Sequence, residues 1–155
     1  SFTRDAGVDA MTFGCTKAGG IFGEAVVFFN HAFTDRSIYV RKQVTQLHSK
    51  MRFIAAQYEA MLQDNLFITL GGQANNAARM LFDKTRDIAS LQLRNAPAAN
   101  SMFPIIAKGP REQLQEWAHF YDWDVAAEQV RWMTACDVTE PEIDAFVAGV
   151  RALLA

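Results

Sequence analysis

The segment 25–29 (AVVFF) is the sequence feature that most restricts which folds this chain can adopt. It is a near-continuous apolar run of β-forming residues, a pattern typical of a strand buried on both faces. Strands of that kind belong to α/β sheets that helices cover. A second apolar segment, 8–13 (VDAMTF), comes earlier and runs into the polar stretch 14–17 (GCTK). We therefore predict an α/β fold in which both segments are strands.

A long helical pattern follows these strands. Between residues 34 and 65 apolar side chains recur every three or four positions, and no proline or glycine interrupts them. Thr34 is a plausible N-cap, so one helix of roughly 25 to 30 residues is expected. Helices of that length typically bridge subdomains or pack on another subunit.

The rest of the chain has the pattern of a small α+β layer. Gly71-Gly72 marks a junction, and we assign 1–70 to the end of a large domain and 71–155 to a small C-terminal domain. The elements expected in the second part are a helix over 74–88, a pair of strands within 91–107, a helix opening at Gly109-Pro110, a strand over 130–134 and a final helix. Thr139 and Glu142 form the capping box of that last helix.

Composition excludes several classes of function. The chain has 155 residues, half of them apolar, and 15 Lys+Arg against 17 Asp+Glu give a net charge of -2. That balance argues against electrostatic binding of nucleic acid. No apolar run reaches the roughly 18 residues that span a bilayer, and no secretory signal is visible. Two cysteines, Cys15 and Cys136, make no disulfide framework, so reduced thiols and a cytoplasmic location are expected.

Lys17 is the first candidate for chemistry. It directly follows a predicted strand and precedes a loop that contains Gly19, Gly20 and Gly23. Ligands bind at strand ends in α/β sheets, and a lysine desolvated there can attack a carbonyl, as in pyridoxal phosphate enzymes. The alternative is a solvated lysine in a turn. The glycines match no phosphate-binding spacing, although they leave room for a bulky cofactor.

Two arginines and the histidines complete the set of candidates. Arg131 stands between Val130 and Trp132 in a predicted strand, so it is either in a structural ion pair or binding a substrate carboxylate. Arg52 lies beside the apolar stripe of the long helix, where it either snorkels to solvent or binds an anion. The histidines are scattered, and no metal site is predicted.

Three blocks of sequence resemble one enzyme family. Residues 12–20 (TFGCTKAGG), continuing into GEAVVFF at 23–29, are similar to low-specificity threonine aldolases, which are pyridoxal 5'-phosphate enzymes of the aspartate aminotransferase fold. SKMRF at 49–53, after Arg41-Lys42, and VRWMT at 130–134, before DVT at 137–139, agree with later parts of the family. The resemblance covers the whole chain and matches the C-terminal portion of the family, somewhat under half of a full enzyme.

The resemblance implies a role for each candidate residue. Lys17 is the lysine that forms a Schiff base with pyridoxal 5'-phosphate, and Arg131 is the arginine that binds the substrate carboxylate. Arg52 and Lys42 match basic residues near the cofactor phosphate, in this subunit or a neighbouring one. The implied reaction cleaves a β-hydroxy-α-amino acid to glycine and an aldehyde. The implied assembly is a homo-oligomer, either a dimer or a tetramer.

The sequence also departs from the complete family pattern. It lacks the phosphate-binding loop, the histidine that stacks on the cofactor ring and the aspartate that keeps the pyridine nitrogen protonated, all of which lie upstream in a full enzyme. Cys136 stands where some relatives carry histidine. Because the sequence begins at Ser1 without methionine, we expect a C-terminal piece that is inactive without its N-terminal half. Two alternatives stay open, another β-eliminating pyridoxal phosphate lyase and a non-catalytic oligomerisation fragment.

Overall fold

The computed structural model describes residues 2–154 and divides into two compact units, Ser1–Phe67 and Ile68–Ala155. The first unit contains the following elements: strands β1 (Ala10–Gly14) and β2 (Glu24–Phe28), helices α1 (Ser37–Gln43) and α2 (Met51–Leu62), and the start of α3 (Leu66–Thr85). The second unit holds the rest of α3 and five further elements: β3 (Ser101–Met102), α4 (Lys108–Trp117), β4 (Tyr121–Asp124), β5 (Gln129–Met133) and α5 (Glu140–Leu154). The assignment of 1–70 and 71–155 to the domains of a larger fold stays a prediction.

In the first unit, β1 and β2 form a two-stranded antiparallel sheet. Both strands were predicted, but the prediction that 25–29 is buried on both faces is wrong for this unit. Val26 is exposed, and Val27 and Phe28 are only half-buried. The physical reason is that, within the described residues, the face of the two-stranded sheet that carries Val26 is left largely open, whereas strands buried on both faces need elements packed on each of them.

The single helix predicted over 34–65 is also wrong. The chain forms α1, then an irregular stretch in which Thr45 has a positive φ of 62°, then α2. Asp64, with φ 51°, breaks the helix again before α3. Residues 38–50 are exposed, so no buried contact within this unit holds them in a continuous helix.

The helix predicted over 74–88 is confirmed for most of its length, but it begins earlier than predicted, at Leu66, and ends at Thr85. Helix α3 has 20 residues and runs through Gly71-Gly72, which were predicted to mark a junction. A Cβ at either glycine would meet nothing within 4 Å, so the pair sits on an open part of the helix. A helical glycine costs only about 1 kcal/mol relative to alanine, and the buried residues Ala77, Ala78 and Leu81 outweigh that cost.

The second unit is built on a three-stranded antiparallel sheet in the order β3-β5-β4. The strand predicted over 130–134 and the helices predicted after 109 and after 139 are confirmed. The predicted pair of strands within 91–107 is reduced to β3 and a bridge between Gln92 and Ile105, and β4 was missed. Helices α3, α4 and α5 contribute to one core with the sheet, whose most buried members are Ile106, Leu114, Val130 and Val150.

Candidate functional site

Lys17 lies in the tight turn between β1 and β2. The turn is closed by backbone hydrogen bonds in which Ala18 N and Gly20 N donate to Cys15 O at 2.9 and 3.0 Å. The Cys15 side chain is buried, whereas the Lys17 side chain is exposed and makes no ion pair with any of residues 2–154. The turn therefore fixes the backbone at Lys17. Within residues 2–154 the side chain is not desolvated as expected from the sequence but has the exposed position of the alternative, a solvated lysine in a turn.

Helix α2 holds the loop that follows this turn. Gln57 Oε1 accepts hydrogen bonds from Ile21 N at 2.8 Å and from Phe22 N at 3.3 Å, and Gln57 Nε2 donates to Phe22 O. Gly23 has φ 140°, and a Cβ there would lie 2.9 Å from Ile54 Cγ2. Only glycine allows this approach, so the loop after Lys17 packs directly on α2.

Tyr58, also on α2, contacts β1 just before the turn that carries Lys17. Its hydroxyl donates to Phe13 O at 2.9 Å, immediately before the turn. Burial raises the pKa of the Tyr58 phenol, and the neighbouring Cys15 and Glu24 raise it further. The phenol therefore remains a hydrogen-bond donor throughout the neutral pH range.

Lys42 and Arg52 belong to the same unit and are both exposed. Lys42 lies in the last turn of α1. Arg52 is the second residue of α2, and its Cζ lies 4.6 Å from the centroid of the Phe53 ring. The Lys50 side chain gives α2 no N-terminal cap. Neither Lys42 nor Arg52 pairs with an acidic side chain among residues 2–154, so both charges remain available to an anion.

Arg131 lies in the second unit at the centre of β5. Its neighbours Val130 and Trp132 are buried in the core, so alternation places Arg131 on the opposite face of the sheet, half-buried. Its Nη2 donates to Ser101 Oγ at 3.4 Å and to Met133 Sδ at 3.2 Å, and its buried Nε has no hydrogen-bond partner in the described part of the chain. No carboxylate of residues 2–154 pairs with it. The structural ion pair considered from the sequence is therefore absent within this range.

Gln57 and Tyr58 were not predicted as residues of this region. Ser101 and Trp123, which contact Arg131, were not predicted either. No local sequence pattern signals Gln57, because its partners Ile21 and Phe22 lie far away along the chain. Cys136, half-buried, forms no disulfide. Across residues 2–154 the structure holds no cluster of three or more His, Cys, Asp and Glu side chains able to bind a metal ion.

Comparison with known proteins shows to which enzyme family this chain is related. The chain is 32% identical over 154 residues to the low specificity L-threonine aldolase of Pseudomonas sp. (strain NCIMB 10558), which is 98% of this chain and 44% of that protein. It is 40% identical over 111 residues to the low specificity L-threonine aldolase of Pseudomonas aeruginosa, which is 72% of this chain and 30% of that protein. The chain is related to the C-terminal portion of the low-specificity L-threonine aldolases. The resemblance inferred from its three sequence blocks is confirmed.

A solved structure gives the same relationship for the fold. The threonine aldolase of Leishmania major superposes with a TM-score of 0.85 at 29% identity, over 96% of this chain and 44% of that one. The predicted fold class, the C-terminal part of an aspartate aminotransferase-type α/β fold, is therefore confirmed. The chain spans less than half the length of these threonine aldolases. A comparison with protein-family models finds no match.

None of the helices within residues 2–154 combines the length and the hydrophobicity that a membrane span requires.

Proposed function

We propose that this chain forms part of a pyridoxal 5'-phosphate-dependent lyase that cleaves threonine or a related β-hydroxy-α-amino acid. The reaction breaks the Cα–Cβ bond, releases the hydroxyl-bearing carbon as an aldehyde and returns a proton to Cα to give glycine. What supports the proposal most is the similarity to low specificity L-threonine aldolase over 154 residues, a stretch that includes Lys17 and Arg131.

The residues of the first unit fit the proposed cofactor. Lys17 presents an exposed amine on a turn that its own backbone and α2 hold in place. Lys42 and Arg52 are free cations, and the N-terminus of α2, which the Lys50 side chain leaves uncapped, adds backbone N–H groups that suit phosphate oxygens. Lys17 would hold the cofactor, and Arg52 with Lys42 would bind its phosphate. When bound, pyridoxal phosphate supplies an electron sink for the bond broken at Cα.

Arg131 would bind the carboxylate of the amino-acid substrate. Its guanidinium is half-buried and has no acidic partner among residues 2–154, and a planar fork of donors matches a carboxylate in bidentate fashion. Fixing the carboxylate orients the Cα–Cβ bond for cleavage.

The proposal also includes the partners of this chain and its location in the cell. Many apolar side chains of the first unit are exposed, among them Ile38, Val40, Leu47 and Phe53. An exposed apolar patch of this kind is typical of a surface that another polypeptide covers. We propose that an N-terminal half and further copies of the same protein provide that cover, and that the enzyme acts in the cytoplasm on a small-molecule substrate.

The test is cleavage of L-threonine by the complete gene product, measured as glycine formed with added pyridoxal 5'-phosphate. Lys17→Ala should lower the turnover by at least about a hundredfold, because the group that holds the cofactor is lost. Lys108→Ala is the matched control, since that lysine is exposed and its side chain pairs, among residues 2–154, only with Glu112. Cleavage by Lys17→Ala at the rate of the control would refute the assigned role.

A further inference from the structure

The side chain of Arg131 is held from both neighbouring strands. On β3, Ser101 Oγ accepts a hydrogen bond from Arg131 Nη2 at 3.4 Å. On β4, the ring centroid of Trp123 lies 5.6 Å from Arg131 Cζ, within the range of a cation–π contact. Because β5 is the central strand of the three, its arginine is flanked on both sides by neutral groups.

The position of Trp123 results from an irregularity in the pairing of β4 with β5. Asp122 pairs with Val130 and Asp124 pairs with Gln129, so Trp123 is the extra residue of a β-bulge. A bulge leaves one residue outside the ladder and redirects its side chain. The indole also packs against Phe103, with ring centroids 5.0 Å apart, which restricts its motion.

The acidic residues nearest in sequence to Trp123 are engaged elsewhere. Asp122 Oδ1 lies 3.5 Å from Arg111 Nε and accepts a hydrogen bond from Gln115 Nε2. Asp124 Oδ1 accepts a hydrogen bond from Ala127 N at 3.0 Å. Neither carboxylate pairs with Arg131, so its charge is oriented without being neutralised. Ser101 and Trp123 also line an open cavity of about 560 Å³, although Arg131 itself is not one of its lining residues.

We propose that Ser101 and Trp123 are positioning residues that orient the Arg131 guanidinium for the carboxylate of an α-amino acid. Trp123 limits tilting of the guanidinium plane, and Ser101 fixes its rotation through Nη2. Both are neutral, so they orient the cation without competing for it as an aspartate would. This inference rests on the proposed role of Arg131 as the carboxylate-binding residue.

The first test measures KM and kcat for L-threonine in the complete gene product loaded with pyridoxal 5'-phosphate. Ser101→Ala and Trp123→Leu should each raise KM about three- to tenfold and change kcat less than about twofold, as expected for the loss of one orienting contact. Trp123→Phe keeps an aromatic face and should restore most of the affinity. Ser101→Ala removes one hydroxyl, so its KM decides the matter alone if Trp123→Leu does not fold.

The second test reads carboxylate binding without turnover. Phenylglyoxal modifies free guanidinium groups, and peptide mass spectrometry reports the rate at Arg131 with and without L-threonine. Threonine should protect Arg131 in the wild-type protein, and Ser101→Ala should need a severalfold higher concentration for the same protection. Exposed Arg86, whose Nη1 lies 3.6 Å from Asp83 Oδ1, is the internal control, and threonine should not protect it.

The outcomes separate this inference from the proposed function. If Arg131→Lys raises KM strongly while Ser101→Ala and Trp123→Leu leave KM and protection unchanged, the positioning role is wrong and the proposed function stands. If protection depends on Ser101 and Trp123 but no cleavage occurs, the inference stands and the proposed reaction is wrong. If threonine never protects Arg131, the inference and the carboxylate role of Arg131 both fail.

Discussion

Gly20 shows how closely the turn at Lys17 is packed. A Cβ at this position would overlap with Cys15 Sγ. The buried thiol occupies the space that a side chain at Gly20 would need, so the small residue there sets the course of the loop. The backbone of the turn, and with it the position of Lys17, depends on this pair.

We predict that Gly20→Ala destabilises the protein by about 1–3 kcal/mol, the usual cost of overpacking. Urea denaturation followed by circular dichroism measures the free energy of unfolding. The double variant Cys15→Ala with Gly20→Ala frees the space taken by the thiol and should recover part of the loss. Equal stability of Gly20→Ala and the wild type would contradict the packing described here.

The sequence identified some site residues and missed others for a physical reason. A charge between Val130 and Trp132 in a strand pattern is conspicuous because such a position is costly without a partner, and Arg131 was found that way. Gln57 was missed because its hydrogen bonds reach Ile21 and Phe22, 36 and 35 residues away along the chain. Local patterns carry no information on contacts of that range.

At the scale of elements, exposed segments limited the prediction. The final helix was predicted correctly because its signal is local, and Glu142 Oε2 accepts hydrogen bonds from both Thr139 N and Thr139 Oγ1. The helical pattern over 34–65 was misleading because apolar spacing shows which residues can share a face and not whether anything covers it. Strand β4 was missed because all four of its residues are exposed, so no apolar alternation marks it.

The break after α1 gives a prediction at this scale. Thr45 has φ 62°, a left-handed conformation that is unfavourable for a β-branched residue. Thr45→Asn should raise the free energy of unfolding by about 1 kcal/mol, because asparagine tolerates this region better. Gln46→Asn is the matched control at an adjacent position without positive φ and should change stability by less than about 0.5 kcal/mol. A destabilised Thr45→Asn variant would contradict the backbone assigned to this stretch.

The capping box gives a pH dependence. Hydrogen bonds from the hydroxyl and the backbone N–H of Thr139 hold the pKa of Glu142 below its usual value of 4.5. A lowered pKa in the folded state means that this stabilisation is present above about pH 4.5 and is lost as the pH falls through the folded-state value. Glu142→Gln should therefore show a smaller loss of stability between pH 7 and pH 3 than the wild type.

Denaturant titrations at several pH values measure this difference. Glu59→Gln on α2 is the control, because Glu59 lies outside the capping box. The same pH dependence in Glu142→Gln and in the wild type would show that the capping box does not contribute.

At the scale of the whole molecule, the two units differ in how much they bury. The second unit has a continuous core that includes Trp132, Val147 and Leu154, whereas in the first unit Cys15 and Met61 are buried beside many exposed apolar side chains. The sequence could predict the α/β class and its family because three ordered blocks resemble one family, and the similarity to a low specificity L-threonine aldolase extends over 154 residues at 32% identity. It could not predict burial in the first unit, because burial depends on what covers that unit.

The proposed function requires that the amine of Lys17 bind pyridoxal 5'-phosphate covalently. The complete gene product is incubated with pyridoxal 5'-phosphate, reduced with borohydride and digested, and peptide mass spectrometry measures the pyridoxyl label at each lysine. We predict a yellow protein that loses its colour on reduction and carries close to one label per chain at Lys17. A colourless protein, or a label at Lys17 no greater than at exposed Lys50 and Lys108, would contradict the account.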